Sequence, residues 1–361
     1  MRIAFYAPLK SPDHPVPSGD RLMARLLMQA LALAGHEVEL VSSFRNFAAT
    51  PEAAAAREEG RQAELLRLRQ KFAADSKPDL WFCYHPYYKS PDPFGPALAA
   101  EFGFAYVTAE TSYSPKRDQG SWKEYQALVA DSIRIAAVNI AMTERDRMGV
   151  ERAIPEARMA SLAPFIDPKL FAAPPVGGDP KRLIAVAMMR SGDKMQSYER
   201  LAAALAEIAA ADWKLSIVGD GPEKAAVEAL FARFEAERIE WHGERSAEEV
   251  ALLLGQSGIY VWPGCGEAYG LAYLEAQAAG LPAVAENTAG VPAVIENGRS
   301  GVLTAEGDIA AYGQAIRNLL EQPEKRRTMG EAARRFVLDK RSIATAAKAL
   351  DGILKQHAGV K

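Results

Sequence analysis

Residues 3–41 read IAFYAPLKSPDHPVPSGDRLMARLLMQALALAGHEVELV. Ile3-Ala4-Phe5-Tyr6-Ala7 is an unbroken apolar run of strand length, and Pro17-Ser18-Gly19-Asp20 ends it with turn-forming residues. Leu22, Leu26, Leu27, Ala30 and Ala34 then recur at helical spacing. Gly35-His36 stops the helix, and Val38, Leu40 and Val41 begin the next strand. Strand, loop, helix and strand in that order make the right-handed crossover of a parallel, doubly wound sheet.

The same alternation runs along the whole chain, so the fold class is α/β. Between Pro164 and Pro180 the composition turns to Pro-Phe-Ile-Asp-Pro and then Ala-Ala-Pro-Pro-Val-Gly-Gly-Asp-Pro, which suits neither a helix nor a strand interior and marks an interdomain linker. Apolar strands are predicted again near residues 183–188, 214–218, 239–242, 258–262 and 282–285. The expected organisation is a Rossmann-like domain over residues 1–170, a second over 171–340, and a helix over 341–361 that packs back on the first. Residues 307–357 read as helical, with an interruption near Pro323.

At 361 residues the chain is long enough for two cores. A hydrophobic fraction of 49% with 25% charged residues is that of a globular protein. The net charge of -3 gives no basic excess, which argues against nucleic acid as a partner. Cys83 and Cys265 are far apart, with no CxxC pair and no histidine cluster, so neither a disulfide framework nor a zinc site is expected. No run reaches the roughly 18 apolar residues of a membrane-spanning helix. The strand at Ile3 leaves no room for a signal sequence, so the expected location is the cytoplasm, with peripheral contact at the inner membrane face left open. The mixed charges of residues 57–71 predict a solvated helix.

The chemistry concentrates in Pro263-Gly264-Cys265-Gly266-Glu267-Ala268-Tyr269-Gly270-Leu271-Ala272-Tyr273-Leu274-Glu275. With a helix starting near Ala268, Glu267 precedes it and Glu275 lies two turns along, roughly 10 Å away at about 1.5 Å per residue. That separation is comparable to the span from a hexose to a ribose across a diphosphate. The amides of Ala268, Tyr269, Gly270 and Leu271 are then free to meet phosphate or sugar oxygens. Glu275 is flanked by Leu271, Leu274 and Ala278, so its carboxylate calls for a partner. Upstream, Met189-Arg190-Ser191-Gly192-Asp193-Lys194 follows the first strand of the second domain and places two cations at the carboxyl edge of its sheet. An Arg fork and a Lys point charge can neutralise a departing diphosphate without a metal. Gly219-Asp220-Gly221-Pro222 forms another tight turn at that edge.

In order and spacing, the two-glutamate motif, the Arg/Lys pair and the Gly-Asp-Gly-Pro turn resemble those of glycosyltransferase family 4, retaining enzymes of the GT-B fold. The resemblance spans the whole chain. It implies two Rossmann-like domains with a cleft between them, and transfer of a hexose-type sugar from a UDP-, GDP- or ADP-linked donor to a glycan, lipid-linked or small-molecule hydroxyl. It implies no cofactor and no metal. By the same resemblance Glu267 meets the donor sugar, Glu275 the ribose hydroxyls, and Arg190 and Lys194 the diphosphate, with Gly19 and Gly219 in donor-side loops.

Three positions depart from the pattern. Asp20 stands where a glycine is usual, Glu110 where the family commonly has a cleft histidine, and Pro164-Phe165-Ile166-Asp167 where an Asn-Gly pair usually precedes the aspartate. Asp20, Glu110 and His85 are candidate acceptor or cleft contacts. Lys116 and Arg117 are candidates for an anionic acceptor, although a solvated surface pair is the plainer reading. A GT-B epimerase or phosphorylase and a nucleotide-sugar-binding protein without turnover remain open alternatives. An NAD(P) oxidoreductase is disfavoured, because no Gly-x-Gly-x-x-Gly follows the first strand.

Overall fold

The computed structural model describes residues 1–74, 77–171 and 178–359. Its chain divides into two compact units, Met1–Ala163 with Ile343–Lys361, and Pro164–Ser342. The second unit therefore begins at Pro164, earlier than the expected boundary at 170/171. Pro164 opens the Pro/Gly-rich stretch, but Phe165 and Ile166 are buried, and the Ile166 amide bonds to Arg341 O at 2.9 Å. Of the expected linker, residues 172–177 lie outside the described residues.

The first unit runs β1 (Arg2–Tyr6), α1 (Gly19–Leu33), β2 (Glu37–Ser42), α2 (Pro51–Ala55), α3 (Glu58–Ala74), β3 (Leu80–Tyr84), α4 (Gly95–Phe102), β4 (Ala105–Ala109), α5 (Lys123–Ile135), β5 (Val138–Ala141), α6 (Glu144–Ala153) and β6 (Met159–Ser161). Its described strands form one parallel sheet in the order β2-β1-β3-β4-β5-β6. Burial on both faces explains why β3 is apolar at every position, including Trp81 and Phe82, each worth about 1.5–3 kcal/mol of transfer free energy.

Ser18 caps α1, its Oγ accepting from the Arg21 amide at 3.2 Å. The buried stripe of this helix is Met23, Leu26, Leu27, Ala30 and Leu31. Leu22, expected on that stripe, is 38% exposed: it keeps the i, i+4 spacing to Leu26 but lies on the edge of the stripe, and Met23, one position round the helix, is the residue that packs inward. In the charged helix α3 only Leu68 and Phe72 are buried, and its length carries ion pairs such as Arg67 with Glu64.

The second unit runs β7 (Arg182–Val186), α7 (Asp193–Glu207), β8 (Lys214–Val218), α8 (Lys224–Phe231), β9 (Ile239–Gly243), α9 (Ala247–Gly255), β10 (Ile259–Val261), α10 (Leu271–Ala278), β11 (Ala283–Glu286), β12 (Gly301–Thr304), α11 (Ile309–Glu321) and α12 (Pro323–Lys340). Its parallel sheet has the order β12-β11-β10-β7-β8-β9. The sixth strand, β12, was not anticipated; it is four residues long. Pro323 separates α11 from α12 by opening the latter, where its missing N–H is harmless. The chain then forms α13 (Ile343–Ala358), which packs on α1 within the first unit.

Each strand order contains a switch point where successive crossovers turn in opposite directions. It falls between β1 and β3 in the first sheet and between β7 and β10 in the second. The carboxyl ends of the strands flanking such a point form a crevice in which ligands bind. A shallow recess lined by Arg2, Glu37, Glu39, Lys71 and Pro78 lies at the opposite, amino-terminal edge of the first sheet, away from these loops.

Among the described residues no helix is long and apolar enough to cross a membrane.

Candidate functional site

The loops after β7 and β10 flank the switch point of the second sheet, and they carry Arg190, Lys194 and Glu267. Lys194, in the first turn of α7, pairs through Nζ with Glu267 Oε1. The same oxygen accepts from Trp262 Nε1 at 3.0 Å, and the ammonium lies 5.6 Å from the centre of the Trp262 ring. One carboxylate oxygen is thus held by two donors, while Oε2 has no hydrogen bond among the described residues. Trp262 is itself fixed: Tyr198 packs edge-on at 4.9 Å, and Tyr273 Oη donates to Trp262 O at 2.8 Å. The sequence reading missed Trp262. An indole that ends an apolar strand beside a glutamate motif is the signal that could have found it, since a buried N–H needs an acceptor.

The Glu267 loop is clamped from below by α7. Cys265 N donates to Ser197 Oγ at 3.0 Å, and Ser197 Oγ donates to Asp193 O at 2.9 Å. A Cβ at Gly266, whose φ is 63°, would collide with the Asp193 carboxylate, so this close approach of loop to helix requires glycine. The turn after β8 is fastened to the turn after β7 in the same manner. Met189 N donates to Asp220 O at 2.9 Å, and a Cβ at Gly219 would collide with Ala187 O. Gly219 therefore sets the shape of the loop that presents Arg190. The Arg190 side chain is exposed and forms no ion pair among the described residues.

The helix carrying the second glutamate begins at Leu271, not near Ala268. Ala268 and Tyr269 belong to the preceding turn, and Gly270, with φ 80°, is the N-cap. Glycine supplies no capping side chain, so the first-turn amides of Leu271 and Ala272 are the ones available to a ligand. Glu275 consequently stands just over one turn into the helix. It is half-buried, with Leu271, Leu274 and Ala278 buried around it. Contrary to the expected partner, its carboxylate makes no hydrogen bond or ion pair among the described residues. Burial alone pushes its pKa up to about 7.

Other predicted residues lie in the first unit. Gly19 opens α1, and nothing lies within 4 Å of where its Cβ would stand. Asp20 Oδ1 meets His85 Nδ1 at 3.0 Å, and Glu110 Oε2 accepts from Tyr84 Oη at 2.9 Å. Burial would depress the His85 imidazole, but the carboxylates of Glu110 and Asp20 outweigh it and hold its pKa at about 9. Lys116 and Arg117 are exposed in the turn Pro115–Arg117, with the Arg117 guanidinium 4.8 Å from the centre of the Tyr88 ring.

Residues 173–336 match the family model described as "Glycosyl transferases group 1". N-acetyl-alpha-D-glucosaminyl L-malate synthase of Bacillus anthracis is 32% identical over 160 residues, 44% of this chain and 41% of that protein. The GDP-mannose-dependent alpha-(1-6)-phosphatidylinositol monomannoside mannosyltransferase of Mycolicibacterium smegmatis is 28% identical over 203 residues, 51% of this chain and 53% of that protein. The chain thus spans about half or less of the length of these relatives. Among solved structures, sucrose-phosphate synthase of Thermosynechococcus elongatus superposes with a TM-score of 0.77 at 20% identity, covering 98% of both chains. Anabaena HepE in complex with UDP gives 0.75 at 15% identity, covering 99% of this chain and 100% of that one. The fold is that of the GT-B glycosyltransferases, with two Rossmann-like parallel-sheet units.

Proposed function

We propose that this protein is a retaining, nucleotide-sugar-dependent glycosyltransferase of the group 1, family 4 kind, with its donor site in the second unit and its acceptor site in the first. The observation that carries the reading is the arrangement at the second switch point. An exposed Arg190, a Lys194–Glu267 pair seated on Trp262, the first-turn amides of α10 and an unengaged Glu275 carboxylate follow the carboxyl ends of two neighbouring strands, β7 and β10. A nucleoside diphosphate sugar asks for these groups together: cations and amides for phosphate, a carboxylate for the vicinal ribose hydroxyls, and a second for the sugar.

In this reading Arg190 and Lys194 stabilise the charge that develops on the departing diphosphate, which is where electrostatic catalysis acts. The charge they supply is what a metal ion supplies elsewhere, and the donor is a co-substrate, with no further cofactor required. Glu267 Oε2 faces the donor sugar while Oε1 stays fixed by Lys194 and Trp262. An acceptor hydroxyl attacks from the face the diphosphate leaves, and the leaving phosphate takes its proton. The name of a relative that is GDP-mannose-dependent and that of a structure that holds UDP support a nucleotide-linked donor. The names of relatives also support small-molecule and lipid-linked acceptors, and in this reading the reaction takes place in the cytoplasm or at the inner membrane face.

The test is nucleotide release from UDP-, GDP- and ADP-sugars in the presence of sugar and lipid acceptors, with the anomeric configuration of the product read by proton NMR. Release of one nucleotide with retained configuration is expected. An inverted product would overturn the retaining mechanism, and conversion of the donor without any acceptor would point to an epimerase.

A further inference from the structure

Two titratable residues occupy left-handed backbone at the carboxyl ends of neighbouring strands: His85 after β3, with φ 57°, and Glu110 after β4, with φ 56°. Residues with a Cβ disfavour this region by about 1–3 kcal/mol, and such strain persists where the surroundings over-determine it. The surroundings here do so. His85 N donates to Ala109 O and Glu110 N to Ile140 O, both at 2.8 Å, so each backbone stays tied to the next strand.

Asp20 follows β1 and His85 follows β3, and these strands flank the switch point of the first sheet. The carboxylate holds the imidazole by Nδ1, which leaves Nε2 without a hydrogen-bond partner among the described residues. The imidazole is only 20% exposed, so its orientation is set by its surroundings. Groups of several elements face it: Asp20 from α1, Tyr84 from β3, Glu110 beyond β4, Asp146 from α6 and the ring of Tyr87 at 5.5 Å. Lys10 lies within reach of Asp20 and Arg45 of Tyr87, but the three carboxylates nearest the imidazole favour a neutral ligand over an anion there. A hydroxyl group fits, because it can accept from an N–H and donate to a carboxylate at once. Beside His85, Tyr87, Tyr88, Trp122 and Tyr125 continue as a chain of rings with centroids 5.3–5.5 Å apart. Of these rings, the half-buried Tyr87, beside the imidazole, offers apolar surface to the C–H face of a sugar or cyclitol, while Arg117 sits over the Tyr88 ring.

We propose that Asp20, His85 and Glu110 form a binding site for an uncharged polyhydroxyl ring, with His85 Nε2 donating to one hydroxyl and the two carboxylates accepting from its neighbours. The proposal deepens the transferase reading, in which this ring is the acceptor. It gives Lys116 and Arg117 no role in holding that ring.

The test is a titration of the full chain, labelled with 15N-histidine, with myo-inositol, D-glucose and N-acetyl-D-glucosamine at millimolar concentrations, and separately with inorganic phosphate. A saturable shift of the His85 ring signals by at least one polyol is expected, with those of His14, His36, His242 and His357 unmoved. His85→Asn, in which asparagine tolerates the left-handed backbone, assigns the signals and should weaken polyol binding about tenfold. Asp20→Asn, which keeps the α1 cap, should weaken it similarly by freeing the ring to rotate. Ring signals that respond to phosphate alone, or to none of the four probes, would overturn the proposal. Titration of the same samples with UDP, GDP and ADP separates the two ideas: polyol binding without nucleotide binding contradicts the transferase reading and leaves this site standing, and the reverse result removes only this site.

Discussion

Lys194 in the first turn of α7 is paired with Glu267 in the loop after β10, across 73 positions of sequence. The pair ties together the two strands that flank the switch point, so it bears on the shape of the site as well as its charge. Lys194→Met should leave Glu267 bonded to Trp262 alone, with its remaining charge partly buried. Donor affinity should fall about tenfold or more, the usual scale for losing a charge-assisted contact. Isothermal titration with the preferred nucleoside diphosphate reads this directly.

Arg190 is exposed and unpaired among the described residues, so its removal should disturb the fold little. Arg190→Ala should lower kcat by roughly tenfold or more while moving the melting temperature by less than about a degree. Nucleotide release measured beside thermal unfolding separates the two effects. A near-normal kcat would remove Arg190 from the assigned role.

Glu275 titrates at about 7 because of burial, against an ordinary carboxyl value of 4.5. Between these two values the folded protein binds the proton more tightly than the unfolded chain, so stability falls as pH rises through this window. Glu275→Gln should therefore raise the melting temperature at pH 8 by about 1–3 °C and lose most of the advantage at pH 4.5. The same variant should bind the donor less well at both pH values. A variant less stable than the native chain at pH 8 would show that the carboxylate has an internal partner.

The His85–Asp20 pair is a favourable charge pairing where Glu275 is an unfavourable burial, yet its stability also falls as pH rises. His85 is held up at about 9, so its contribution is complete below 6.5 and is lost as pH rises through 9; that of Asp20, depressed by His85, is lost only as pH falls below its ordinary range. Native protein should lose stability between pH 7 and 10, and His85→Asn should lose about 1–3 °C less over the same interval. Thermal scans at closely spaced pH values check both arms.

Gly219→Ala should destabilise the second unit by about 1–3 kcal/mol, because its Cβ would collide with the backbone oxygen of Ala187 at a φ of 139°. Gly149→Ala, where nothing lies within 4 Å of the added carbon, is the control. Urea unfolding of the two variants gives the comparison.

The α/β architecture was legible because parallel strands buried on both faces must be apolar throughout, as Leu80–Tyr84 and Lys214–Val218 nearly are. Glu267 and Glu275 stood out in the sequence because carboxylates beside an apolar helix are costly and therefore conspicuous. What escaped reading depends on contacts distant in sequence. Trp262 gains its role only when Lys194 folds onto it, and Asp20 meets His85 across 65 positions. The start of α10 at Leu271 is set by Gly270 with its left-handed φ, whereas Ala268 offered a better helix former and no reason to delay. The helix stripe on α1 shifted from Leu22 to Met23 because both are apolar, and only packing distinguishes them.

The central claim, that the second unit binds a nucleotide-sugar through Glu275, is tested most directly by equilibrium binding of UDP, GDP and ADP and their glucose conjugates to the native chain and to Glu275→Ala. The account predicts saturable binding of one nucleotide class by the native protein, at least tenfold weaker in the variant. Equal affinity in the two proteins, or binding of none of the nucleotides by the native chain, would contradict it.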